Sequence, residues 1–97
     1  MPLLLPFAYI VSYDLKGPEA AYGPLLDELR KSDRWWHFLQ STWIVLCRET
    51  LVELGIRLRL RIRPTDFLLI LPAKGPADGL LPQEAWDWIR QFVPKEW

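Results

Sequence analysis

The residue best placed to do chemistry is Asp14. It closes the run FAYIVSYD, Phe7 to Asp14, which is apolar, β-branched and aromatic and therefore reads as a strand. A carboxylate at the C-terminal end of a strand is a common place for chemistry in open sheets. A hard cation such as Mg²⁺ takes oxygen ligands, and it accepts one or two protein carboxylates when phosphate and water complete its shell. Asp14 is accordingly the candidate metal ligand and catalytic carboxylate, with Mg²⁺ as the cofactor it would hold. The competing reading is structural. Asp often starts a turn by capping nearby backbone N–H groups, and the following Leu15-Lys16-Gly17-Pro18 is turn-like.

A second group could contact nucleic acid. Trp35 and Trp36, with Arg34 beside them, are candidates for stacking on bases. Arg57 and Arg61 come from an arginine run and are candidates for gripping phosphate. The bland alternatives are a solvated helix face for the arginines and a core role for tryptophan, Trp43 above all. His37 has no second histidine and no cysteine cluster near it, which argues against zinc or a His–Cys pair. Gly-rich phosphate loops, dinucleotide fingerprints and nucleophile elbows are absent from the sequence.

The whole-chain charge does not favour a strongly basic nucleic-acid binder. The 97 residues carry 12 basic and 12 acidic side chains, for a formal net charge of zero. Half of the chain is hydrophobic, so one domain over 1–97 can build a core without disulfides or metal. The lone Cys47 reads as a small buried hydrophobe in a reducing compartment. The apolar start, MPLLLPFAYIV, has no basic head, and Pro2 and Pro6 interrupt it. It is therefore expected to be neither a signal peptide nor a membrane span, and the cytoplasm is the expected location.

The elements that must hold these residues follow in order. Phe7, Tyr9, Val11 and Tyr13 share one face of the first strand; Ala8, Ile10, Ser12 and Asp14 share the other. A helix is expected over about 19–31, with Tyr22, Leu25, Leu26 and Leu29 on its apolar face. Trp35 to Cys47 is extended, either as a hairpin turning near Gln40-Ser41 or as one strand with a bulge. Ile56 to Arg63, IRLRLRIR, alternates like a strand, yet Leu51, Leu54, Leu58 and Ile62 also make a helical stripe. A helix over about 49–62 is preferred, because two strands of one sheet need a crossover of that length. Arg57 and Arg61 would then share an exposed face. Asp66 to Leu71 is a further strand, and a last helix spans about 82–93 with Trp86 and Trp88 as docking residues.

The order βαββαβ with an added C-terminal helix predicts an α+β, ferredoxin-like sandwich. Its strands are apolar on both faces, whereas two crossover helices cover one. Either a second copy of the chain or the C-terminal helix must cover the other, and a homodimer is expected.

The segments YIVSYDL, WWHFLQSTWIV, D-x-L-L-I from Asp66, and LPQEAWDWI resemble small bacterial and phage proteins of unknown function described as SinR-like. These look like distant relatives of the second CRISPR-associated protein and of virulence-associated protein D. The resemblance runs from Tyr9 to Ile89 and implies a ferredoxin-like dimer. The CRISPR-type motif is carried by Tyr13-Asp14, by Gln40-Ser41 ahead of Trp43, and by the strand led by Asp66. It implies that Asp14 from both subunits would hold a divalent metal for phosphodiester cleavage, and that Ser41 occupies a second catalytic position. Two activities are thereby in view: a metal-dependent nuclease, and a non-catalytic interaction module of a toxin–antitoxin or phage-defence system that binds a protein partner.

Overall fold

The computed structural model describes residues 6–18 and 22–95. It contains β1 (Phe7–Asp14), α1 (Gly23–Arg30), β2 (Arg34–Leu39), β3 (Thr42–Cys47), α2 (Leu51–Arg59), β4 (Phe67–Pro72) and α3 (Gln83–Phe92). The strands form one four-stranded antiparallel sheet in the order β2-β3-β1-β4. The centre of the sheet is β1, bonded to β3 on one side and β4 on the other.

Local chemistry explains most boundaries. Pro24 sits in the first turn of α1, where its missing N–H costs no helical hydrogen bond. The helix expected from residue 19 begins at Gly23, and positions 19–21 lie outside the described residues. Helix α2 starts at a capping box: the Thr50 hydroxyl accepts from the Glu53 N–H, and the Glu53 carboxylate accepts from the Thr50 N–H. That box settles the IRLRLRIR ambiguity in favour of helix, although the helix ends at Arg59, before the expected 62. Trp35 to Cys47 is a hairpin turning at Gln40-Ser41 rather than one bulged strand, and its ladder shifts register between Trp36 and Leu39.

Side-chain parity divides the core into two layers. On one face Tyr9, Val11, Tyr13, Trp43, Val45 and Cys47 pack under α1 and α2 through Leu25, Leu29, Leu54 and Leu58. Trp43 is fully buried, and its indole N–H donates to the Tyr13 hydroxyl at 3.1 Å. On the other face Ala8, Ile44, Leu46, Trp36 and Ala73 pack under α3 through Ala85, Ile89 and Phe92. The C-terminal helix is thus a cover of the second face. It is a partial one, because Phe67, Leu69 and Leu71 of β4 point to that side and stay 64%, 56% and 47% exposed.

No helix among the described residues is long and apolar enough to cross a membrane.

Candidate functional site

The β1–β3 ladder brings Asp14 and Ser41 to the same end of the sheet. The Tyr13 N–H donates to the Ser41 carbonyl at 3.1 Å, which continues the ladder into the hairpin turn. Asp14 lies one residue further along β1, opposite Phe67 of β4. Its carboxylate is largely exposed and meets the Lys16 ammonium at 2.9 Å, while that ammonium also lies 5.1 Å from the Phe67 ring centre. An exposed pair of this kind is worth at most about 1 kcal/mol. Asp14 does not organise the turn that follows it. That role belongs to Asp66, which reaches across from the loop before β4. Its carboxylate accepts from the Lys16 N–H at 2.8 Å and the Arg63 N–H at 2.9 Å, and these backbone donors hold it below the usual carboxylate range. Among the described residues no cluster of three or more His, Cys, Asp or Glu side chains could hold a metal. A cation at Asp14 would therefore draw its remaining ligands from a second copy, phosphate or water.

The nucleic-acid candidates are not gathered on one surface. Trp36 is buried under α3 and donates its indole N–H to the Ala85 carbonyl at 3.1 Å. Arg34 lies 4.7 Å over the Phe92 ring on that same side. Trp35 points to the opposite face, half-exposed beside Trp43, with the Arg30 guanidinium 6.0 Å from its ring. His37 is stacked on Trp43 with ring centres 4.0 Å apart, and its Nε2 lies 3.0 Å from the Gln40 carbonyl. The Cys47 thiol is buried, and burial pushes it up to about 11, so it is an inert core group.

Arg57 and Arg61 do not form the free exposed face expected of them. Both grip Glu28, a buried carboxylate on the inner side of α1, at 3.0 Å and 3.1 Å. Arg57 also makes a forked contact with Glu49 at 2.8–3.1 Å. Hydrogen bonds from Arg57 and then Lys31 hold the Glu28 carboxyl down to about 2. The network ties α1 to α2 and to the end of β3. Sequence reasoning missed Glu28. The available signal was an acid set between Leu25 and Leu29 on the apolar side of a helix, with Arg57 and Arg61 one turn apart elsewhere.

Among the described residues, apolar surface is left uncovered on both sides of β4. On the α3 side, the register aligns Leu39, Thr42, Ser12 and Leu69 in one row across all four strands. Ser12 and Thr42 hydroxyls sit 3.3 Å apart at its centre. The next two rows, Trp36-Ile44-Ile10-Leu71 and Arg34-Leu46-Ala8-Ala73, are the ones α3 packs on. The open strip therefore has hydroxyls in the middle, apolar side chains at both ends, and Asp14 on its rim. On the other side of β4 a groove of about 680 Å³ runs between α2 and the strand.

No family model and no curated protein matches the chain. Among solved structures, the chain is similar to the crystal structure of a hypothetical protein, TT1823, from Thermus thermophilus. The identity is 26%, the TM-score is 0.58, and the match covers 79% of this chain and 95% of that one.

Proposed function

We propose that this chain is a ferredoxin-like interaction module that works as a homodimer, joined through the open strip of the α3-bearing sheet face. The element order and the strand order β2-β3-β1-β4 support the ferredoxin-like arrangement, read with β4 and β2 at its two edges. The observation that carries the dimer is the incomplete cover. Helix α3 covers the inner part of two rows of that face and leaves Leu71 at their β4 end, and Leu39, Leu69 and Phe67 along the third row and its rim, exposed. Phe67, Leu69 and Leu71 make that exposed apolar surface contiguous along β4, and such a patch marks an interaction site. A two-fold partner would oppose the strip with its own copy, apolar end to apolar end, with the Ser12 and Thr42 hydroxyls able to pair across the middle.

Sedimentation or light scattering tests this reading. The native chain is expected at the dimer mass at micromolar concentration. Leu69→Asp, which places a charge in the strip but touches no buried core, is expected to give a folded monomer. A native chain that remains monomeric at high micromolar concentration overturns the proposal.

One observation favours a second reading, in which the dimer acts on nucleic acid. Asp14 lies on the rim of the same strip, exposed and free of a structural turn role. Two copies brought together there could share Mg²⁺ between their carboxylates. Incubation of the native dimer with Mg²⁺ and short RNA or DNA, against Asp14→Ala, tests this. Cleavage that survives the substitution removes Asp14 from the chemistry.

A further inference from the structure

The groove on the other side of β4 carries a separate inference. Its strand is a sheet edge, with no strand beyond it among the described residues. Hydrogen-bond parity shows which backbone groups that edge offers. The Ala73 N–H donates to the Ala8 carbonyl at 2.8 Å, so Ala8 and Ala73 are a bonded pair. Alternation along the antiparallel register then turns Phe67, Leu69 and Leu71 inward to β1. The N–H and C=O of Leu68 and Ile70, with the C=O of Pro72, point away from the sheet. Pro72 falls at an outward position, where its missing N–H costs no ladder bond and blunts only the last step of the edge.

The side chains beside this edge are selective. Leu51, Val52, Ile62 and Ile70 make the groove apolar. Gly55 keeps it open: a Cβ there would stand 3.9 Å from the Ile70 Cδ1 and 3.7 Å from a terminal nitrogen of Arg59. The Arg59 guanidinium thus lies back along the groove wall over Gly55. Its charge has no counterpart among the described residues. Arg57 and Arg61 are bound to Glu28, and Arg63 faces Asp66, the acid lining this groove. Asp66 is itself saturated by backbone N–H groups. Arg59 has no acidic partner among the described residues.

We propose that this edge binds an extended peptide segment of a partner protein by strand addition, and that the segment turns apolar side chains and one acidic side chain to the same face, two residues apart. Its backbone pairs with Leu68 and Ile70. Its apolar side chains enter the groove between α2 and β4, and one carboxylate meets Arg59. Main-chain pairing supplies affinity in such complexes, and the alternate side chains supply selectivity. The charge at Arg59 is what separates an acidic segment from a second copy of this chain, whose own β4 side chains, Phe67 to Pro72, contain no acid.

The probes are three capped heptapeptides with threonine at positions 2, 4 and 6: one with glutamate at position 3 and valine at 1, 5 and 7, one with lysine in place of the glutamate, and the glutamate peptide N-methylated at every second residue. The glutamate peptide is expected to bind the native chain at least about tenfold more tightly than either of the others. Binding should shift the amide resonances of Leu68 and Ile70. Arg59→Glu, an exposed substitution that leaves the fold intact, should reverse the preference between glutamate and lysine. Equal affinity for all three peptides, no binding of the glutamate peptide, or preference unchanged in Arg59→Glu overturns the proposal. Dilution-dependent shifts at Leu68 and Ile70 without peptide would assign the edge to a second copy and overturn it as well. The Leu69→Asp monomer should retain peptide binding, so loss of the dimer and loss of this site are read separately.

Discussion

The two faces of the sheet are built from the same strands but finished differently. Under α1 and α2, residues with zero exposure form a continuous layer: Val11, Leu25, Leu29, Trp43, Val45, Leu54 and Leu58. Under α3, full burial stops at the rows holding Ala8, Ile44 and Leu46, and the third row is left open. Both faces are apolar by strand parity, so hydrophobicity alone does not distinguish stability from function here. The difference lies in what the rest of the chain supplies as cover. Two crossover helices must lie on one face to connect their strands, whereas among the described residues the one helix on the other face is the ten-residue α3. Surface left apolar after all elements are placed is surface available to a partner.

Paired substitutions break or sharpen this contrast. Leu58→Ala, at a site with zero exposure, should cost about 2–5 kcal/mol, the range for truncating a buried leucine. Leu69→Ala, on the open strip, should change the stability of the monomer by no more than about 0.5 kcal/mol. Urea unfolding of each variant, at a protein concentration where both sediment as monomers, measures the difference. Similar losses at the two sites would mean that the strip is already covered within one chain.

Glu28 gives the next largest effect. Glu28→Gln removes a charge that Arg57, Lys31 and Arg61 all face, and it should cost about 2 kcal/mol, in the range for hydrogen bonds to charged groups. The native chain should show the matching pH dependence. The folded-state carboxyl lies at about 2, below its ordinary value of 4.5, so its contribution is fully present above 4.5 and is lost as pH falls from there towards 2. Glu28→Gln should flatten the stability curve across that window. An unchanged acid limb would show that other carboxylates control it.

The strand faces were legible in the sequence because the alternation in FAYIVSYD is local and strict. The choice between helix and strand for IRLRLRIR was decided by connectivity, and the Thr50–Glu53 capping box was a further signal in plain view. Glu28 and Asp66 were not legible. Their long-range partners, Arg57 and Lys16, lie 29 and 50 residues away in sequence, so even Glu28, set on the apolar side of its helix, could not be matched to them. The Trp35–Trp36 pair illustrates another limit. Neighbouring strand residues necessarily face opposite ways, so two adjacent tryptophans could not form one stacking platform on a regular strand. Pro72 carried usable information, since a proline closing a strand favours an edge position.

Helix α3 tests whether partial cover is a separable feature. Ala85 has zero exposure beneath it, and its carbonyl accepts the Trp36 indole N–H. Ala85→Asp would bury an unpaired carboxylate, costing about 3–5 kcal/mol if the helix stays docked. Release of α3 is the cheaper response. Amide exchange should therefore quicken across Gln83–Phe92 while α1 and α2 keep their protection. Uniform loss of protection would show that the two layers fold as one cooperative unit.

The smallest effect should come from the residue with the sharpest chemical reading. Among the described residues the Asp14 side chain is ion-paired with Lys16, and both side chains are about half exposed or more. Asp14→Asn should therefore move stability by less than about 0.5 kcal/mol, because an exposed ion pair contributes little and is screened by salt. That neutrality makes the variant informative. A residue held in place for folding would register in thermal unfolding, whereas one kept for a ligand would not. If the dimer places two Asp14 carboxylates around one cation, Mg²⁺ should raise the stability of the native dimer and leave the Asn variant unmoved. A shift of equal size in both would locate the ion elsewhere, and the open strip would then be a surface for association alone.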